Sequence, residues 1–361
     1  MSTLTLDRPD VAVRPAKVTG WAPLGVVLAG TFVTFLDFFI VNVALPALAV
    51  DLHAGPATLS LVVAGYGLTF AAGMITGGRL GDLYGRRRLF TIGLALFTIT
   101  SLACGLAPTA GMLVAARMLQ GAAGALLTPQ VLAILGTTYD GERRGTAFAA
   151  YGFAMGIAGV LGQLLGGALI QADVAGLGWR TIFLINVPVG LAALPLVRRY
   201  VPESRGPSAR LDVAGTLLGT AAVAALVLPL VEGREHGWPA WCWISLAAAP
   251  VLAAAFVATQ ARAGRTPLVD LTLFRLRSFA VGSLAALTFA LVPSSFFFVL
   301  ALYLQEGRGY SALFSGVVFA VVGVGYFAAL VVATPLAARM GRQVLTLGAG
   351  AVGIGALLLA E

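Results

Sequence analysis

Apolar runs of about 20 residues recur along the whole chain, the length a helix needs to cross the hydrocarbon core of a bilayer. They fall at about 22–46, 58–78, 89–107, 111–136, 146–170, 181–197, 212–231, 242–260, 279–303, 312–335 and 344–360. Lipid offers no water to backbone N–H and C=O groups, so segments of this kind must be helices. A membrane β-barrel would show short alternating strands instead. Charged residues make up 11% of the sequence and hydrophobic ones 59%, too little polar surface for a dispersed soluble domain. The fold class expected is an all-α membrane protein with eleven crossings.

The formal charge of +8 reads as a membrane-orientation signal and not as a nucleic-acid footprint. With the N-terminal tail placed in the cytoplasm, 19 of the 23 Lys and Arg residues fall in inner segments, as cytoplasmic loops require. Arg180, Arg234 and Arg308 fall outside, and Arg117 falls within a crossing. Trp179, Trp238, Trp241 and Trp243 are expected at the outer interface and Trp21 at the inner one. Residues 1–20 lack an apolar core, so the first run is expected to be an uncleaved anchor. Cys104 and Cys242 are expected to act as small apolar residues.

Four stretches carry chemistry. In "FLDFFIVNVALPAL", Asp37 lies deep in an apolar helix, where a carboxylate costs about 2.5–3.5 kcal/mol on insertion scales and so normally faces a cavity or a partner. In "RMLQGAAGALLTPQ", Arg117 is the one basic residue inside a crossing, with Gln120 three residues on, on the same face. At 1.5 Å per residue, Asp37 and Arg117 reach comparable depth and are expected to interact directly or through water. The low dielectric favours a neutral Asp37 and the arginine a charged one, a competition that small movements could tip. "GGRLGDLYGRRRLF" is a short inner turn in which Gly78 and Gly85 allow close approach and Arg86 and Arg87 follow Asp82. Its outline returns at "ATPLAARMGRQVL", where an offset of 256 residues aligns Gly85 with Gly341 and Arg86 with Arg342, and repeated halves are common in secondary transporters. Finally, "YGFAMGIAGVLGQLLGGALI" gives a helix face without side chains, suited to close backbone packing.

Together these stretches, with "GWRTIFLINVPVG" at 178–190, resemble the major facilitator superfamily, and most of all its fourteen-span drug:proton antiporters. The resemblance implies proton coupling by Asp37 and Arg117, and a gating loop made of Gly78, Asp82, Gly85, Arg86 and Arg87. It also implies an antiporter-type glycine face at Gly159, Gly162, Gln163, Gly166 and Gly167. Gln163 stands where that motif has proline and Ala158 where it begins with glycine. In the family the aspartate equivalent to Asp82 latches against a helix end of the second half. Asn42, Tyr66, Gln120, Gln163, Phe35 and Phe289 are the candidate lining of a substrate cavity.

The implied organisation is a six-helix bundle over 1–200, a linker with two additional helices over 201–270, and a partial second bundle of three helices over 271–361. The family's last three helices are expected to be absent. The expected function is proton-coupled export of small apolar or amphipathic compounds, with the proton gradient as energy source and no cofactor. Proton-driven uptake of a small metabolite and a truncated, transport-incompetent membrane protein are the alternatives. The expected partners are the lipid bilayer and a small-molecule substrate, and the sequence leaves the oligomeric state open. No Ser-His-Asp grouping, metal-ligand spacing or phosphate-binding loop points to an enzyme.

Overall fold

The computed structural model describes residues 20–206, 212–234, 236–261, 268–341 and 343–360, apart from some side chains between 289 and 294 and beyond 329. The helices are α1 (Ala22–Asp51), α2 (Pro56–Tyr84), α3 (Arg86–Gly105), α4 (Ala110–Thr138), α5 (Gly141–Ala172), α6 (Thr181–Leu184), α7 (Asn186–Tyr200), α8 (Val213–Glu232), α9 (Ala240–Gln260), α10 (Arg277–Leu302), α11 (Ala312–Met340) and α12 (Gln343–Ala360). α6 and α7 together form one crossing, Gly178–Tyr200. Nine crossings among the described residues are long and apolar enough to span a bilayer, fewer than the eleven expected. The other two fall in α10 and α12, where the described apolar stretches, Ser295–Gly307 and Gln343–Gly355, are shorter.

Local chemistry sets the boundaries. Pro23 and Pro56 sit in the first turns of α1 and α2, where a missing N–H leaves no bond unmade. Thr109 caps α4, its hydroxyl accepting from the Met112 N–H, and Asp212 caps α8 through the Gly215 N–H. Gly85, at φ +108°, breaks the chain between α2 and α3.

α2 and α4 cross backbone to backbone. A side chain on Gly77 would strike the Ala125 carbonyl and one on Gly121 the Tyr66 carbonyl. Thr69 Oγ donates across the crossing to the Met118 carbonyl at 2.7 Å, and Gln130 Nε2 to the Gly77 carbonyl at 2.7 Å. The core has an inner part, with Val27, Phe90, Leu127, Val131 and Val197, and an outer part, with Ile40, Leu45, Leu113, Ile182 and Phe183.

Trp179 belongs to that outer core and is buried, a correction to its expected place in an interfacial belt. Its indole N–H donates to Asp51 Oδ2 at 2.9 Å, which fixes the start of the sixth crossing to the end of α1. Trp238, Trp241 and Trp243 are exposed as expected. At the opposite end Trp21 stacks on Tyr139 at 5.2 Å, with Arg143 over its ring at 4.9 Å.

α8 and α9 form a hairpin beside α2, where Thr76 and Thr216 share a hydroxyl hydrogen bond of 3.1 Å. At its base Gln260 donates to Asp212 Oδ2 at 2.8 Å and accepts from the Leu268 N–H at 2.7 Å.

Candidate functional site

A sealed polar cluster lies between α1, α3, α4 and α7. Asp37, Ser101, Arg117, Gln120 and Asn186 are each 0–1% exposed. Arg117 Nη1 donates to Asp37 Oδ2 in a direct ion pair and to Gln120 Oε1 at 2.8 Å. Its Nε donates to the Val62 carbonyl at 3.1 Å, and its guanidinium lies 4.3 Å from the centre of the Tyr66 ring. Asp37 Oδ1 accepts from Gln120 Nε2 at 2.9 Å and from Asn186 Nδ2 at 2.7 Å. Ser101 Oγ accepts from the same two amides, at 2.7 and 3.3 Å.

The carboxylate thus receives donors at both oxygens, which is how a buried charge becomes tolerable in a low dielectric. Arg117 Nη2 and Asn186 Oδ1 have no hydrogen-bond partner. Burial with two unpaired atoms makes the cluster sensitive to rearrangement, because each unpaired group gains from any movement that supplies a partner.

The helices deliver these groups for identifiable reasons. Gly121 lets α4 press against α2 beside Tyr66, which places Arg117 over the ring. The Tyr66 hydroxyl donates to the Thr34 carbonyl of α1 at 3.4 Å, closing the triangle of α1, α2 and α4. Ser101 and Asn186 were not singled out from sequence, although "INVPVG" does place an asparagine in an apolar run two residues before a proline. Cys104, expected to be merely apolar, has its Sγ 3.5 Å from Gln120 Oε1.

Of the expected cavity residues, Tyr66 and Gln120 join this cluster, whereas Asn42 and Gln163 stand apart from it. Asn42 Nδ2 bonds the Phe39 carbonyl on its own helix at 3.2 Å, leaving Oδ1 unpaired. Gln163 is fully buried with neither amide atom bonded. Phe35 is half-buried, and the side chain of Phe289 lies outside the described residues. Gln120 stands inside the ion-pair cluster and shows no face to a cavity.

The glycine face of α5 serves two neighbours. Added Cβ atoms at Gly159, Gly162 and Gly166 would meet α1, at Phe39, the Leu36 carbonyl and Ile40 respectively. Gly167 lies against Ala312 and Leu313 of α11, and Gly316 of α11 lies against Gln163 and Leu164. The outer half of α5 is thereby closed onto α11. α1 meets α10 through Phe39 and Phe297, whose ring centres are 5.6 Å apart, and Gln305 donates to the Val43 carbonyl at 3.2 Å.

At the inner turn Asp82 pairs with Arg86 at 2.8 Å, one helical turn away. The linker after α7 is strapped over this turn. The Arg87 N–H donates to Glu203 Oε1 at 3.0 Å, the Arg86 N–H to the Ser204 carbonyl at 2.9 Å, and the Gly206 N–H to the Asp82 carbonyl at 3.1 Å. A side chain on Gly85 would collide with Glu203. An open groove of about 320 Å³ beside it is lined by Met74, Gly78, Arg79, Asp82, Arg86 and Leu268, among others. Among the described residues Asp82 thus finds a charged partner, Arg86, within its own turn. Of the expected repeat, Gly341 has φ +56°, while Arg342 lies outside the described residues.

Known proteins are similar to this chain. A sequence profile described as Major Facilitator Superfamily matches residues 27–360. The probable actinorhodin transporter of Streptomyces coelicolor is 38% identical over 389 residues, covering 99% of this chain and 66% of that protein. A cephamycin export protein of Amycolatopsis lactamdurans is 38% identical, covering 85% and 65%. The chain spans between about half and two thirds of the length of the curated relatives it matches. Among solved structures the peptide transporter POT aligns with a TM-score of 0.62 at 17% identity, over 92% of this chain and 72% of that one, a likeness of fold.

Proposed function

This chain belongs to the major facilitator superfamily and is a multi-pass membrane protein, and from that premise we propose that it is a proton-coupled exporter of small apolar or amphipathic compounds, antibiotics among them. The observation that carries this reading is the sealed Asp37–Arg117 pair. A lone carboxylate that one cation and two amides contact inside the membrane is a group that a change in helix contacts can hand to a proton. Relatives named for antibiotic export support the substrate class. The proton gradient supplies the energy and neither a bound cofactor nor covalent chemistry is called on.

In this reading residues 1–200 hold the coupling site, 201–270 form an accessory hairpin and its linkers, and 271–361 are part of the second bundle. Asn42, Tyr66, Gln163, Phe35 and Phe289 face the substrate path in other conformations. Closure of α5 on α11 fits a state in which the outer side is shut.

The test uses everted membrane vesicles with an acidic lumen and ethidium as probe. Export predicts accumulation of ethidium in the lumen, lost on adding a protonophore and lost in Asp37→Asn. Ethidium leaving the lumen together with protons would replace this reading with uptake.

A further inference from the structure

Asn186 occupies a special place in the sixth crossing. The backbone stays helical through Ile185, whose N–H donates to the Thr181 carbonyl at 3.0 Å, but the next turn is short of a bond. Pro188 has no N–H to offer the carbonyl of Leu184 four residues earlier, and a turn so weakened is where a helix bends. Asn186 lies inside that weakened turn, between Leu184 and Pro188. Its amide nevertheless makes the shortest amide contact to Asp37, at 2.7 Å on Oδ1, with Ser101 Oγ 3.3 Å away as a second acceptor. Its own Oδ1 is buried and unpaired, so only the Nδ2 side of the amide is anchored.

The donors on Asp37 are therefore of two kinds. Arg117 and Gln120 come from α4, locked to α2 by the glycine crossing and the bond from Thr69 to Met118. Asn186 comes from a crossing with a weak point beside it. The titratable or charged groups facing Asp37 are Arg117 of α4, Tyr66 of α2 and Cys104 of α3. The charged residues of α5 lie in its first turn and those of α7 in its last. Among the described residues, then, the Asn186 amide is the donor on Asp37 that is carried by a helix outside the α2–α4 crossing.

We propose that Asn186, held by Ser101, is a positioning residue for proton loading: it occupies Asp37 Oδ1 together with Gln120 while the outer halves are closed, and its withdrawal about the turn weakened by Pro188 frees a lone pair of Oδ1 to take a proton. The proton comes from the aqueous side open at that moment and adds to the oxygen Asn186 has vacated, while Arg117 stays on Oδ2. The proposal rests on the reading of Asp37 as the proton carrier.

The test is an infrared titration of the full chain in lipid nanodiscs, following the protonated-carboxyl band that is absent in Asp37→Asn. In Asn186→Leu, which keeps the volume and removes the donor, the band should persist to a pH about one unit or more higher than in the unsubstituted protein. Ser101→Ala, which loosens the same amide, should move it in the same direction by a smaller amount, and it stands in should the leucine variant fold poorly. An unchanged titration in both variants overturns the proposal and leaves the Asp37 reading intact. A spectrum in which Asp37→Asn removes no band at any pH overturns the Asp37 reading itself, and the proposal with it.

Discussion

The carboxylate of Asp37 and the guanidinium of Arg117 stand 80 residues apart in sequence and in direct contact between α1 and α4, neither exposing any side-chain surface. A buried pair of this kind adds little stability over an apolar pair of the same shape, yet removing one member strands the other.

Arg117→Met should therefore cost about 3–5 kcal/mol, whereas Asp37→Leu combined with Arg117→Met should recover most of it. Thermal unfolding in detergent reads both. The double variant is expected to be stable and inactive in the vesicle assay. A double variant no more stable than Arg117→Met would refute the stranded-charge account.

The α2–α4 crossing should tolerate no side chain. Gly121→Leu and Gly77→Leu each force a branched group into a facing backbone carbonyl, and overpacking of this kind costs about 1–3 kcal/mol or more. Folded yield by size-exclusion fluorescence should fall sharply for both. Gly152→Ala, where a Cβ meets nothing within 4 Å, should match the unsubstituted protein.

Gly167→Val should pry α5 from α11 at their outer contact and leave the α1 side of α5 in place. A cysteine introduced at Gln163, in a background with Cys104 and Cys242 replaced, then reports the opening. Its labelling by a membrane-impermeant maleimide should rise several-fold with Gly167→Val. Equal labelling with and without that substitution would mean the glycine contact is not the seal.

The strap over the inner turn should loosen when its charges are removed. Glu203→Gln deprives the Arg87 N–H of a charged acceptor and removes the partner 3.7 Å from its guanidinium. Exposed pairs of this type are worth about 0.2–1 kcal/mol, so the effect is modest. Trypsin cleavage after the exposed Arg205 should speed up by about two- to five-fold, with no change in unfolding temperature. Unaltered cleavage would show that the backbone bonds of Ser204 and Gly206 hold the strap alone.

The architecture was legible where one property dominates. Apolar length located nine of the eleven expected crossings among the described residues, and two charges in otherwise apolar runs at matching depth pointed to each other, because in lipid each has few other partners. The rest of the cluster was not legible. Ser101 and Asn186 are small polar residues of a kind that membrane helices carry for many reasons, and only the tertiary arrangement turns both toward Asp37. Glu203 reads as one charge in a mixed linker, since nothing local announces that it reaches back more than a hundred residues to Arg87. Trp179 was misplaced because an aromatic at a helix end satisfies the belt pattern equally well from either side of the protein surface. Glycine spacing on α5 announced a smooth face but not that two different helices share it.

That shared face has a mechanical consequence. Interlocking side chains can change register only by a jump from one set of rotamers to another, as cogs do. On α5, Phe39 and Ile40 of α1 seat against Gly159 and Gly166, the α11 backbone lies on Gly167, and Val160 of α5 seats in turn on Gly323 of α11, so the face is keyed to two neighbours at once. Whatever relative motion α1 and α11 undergo therefore passes through α5, in steps from one such seating to the next.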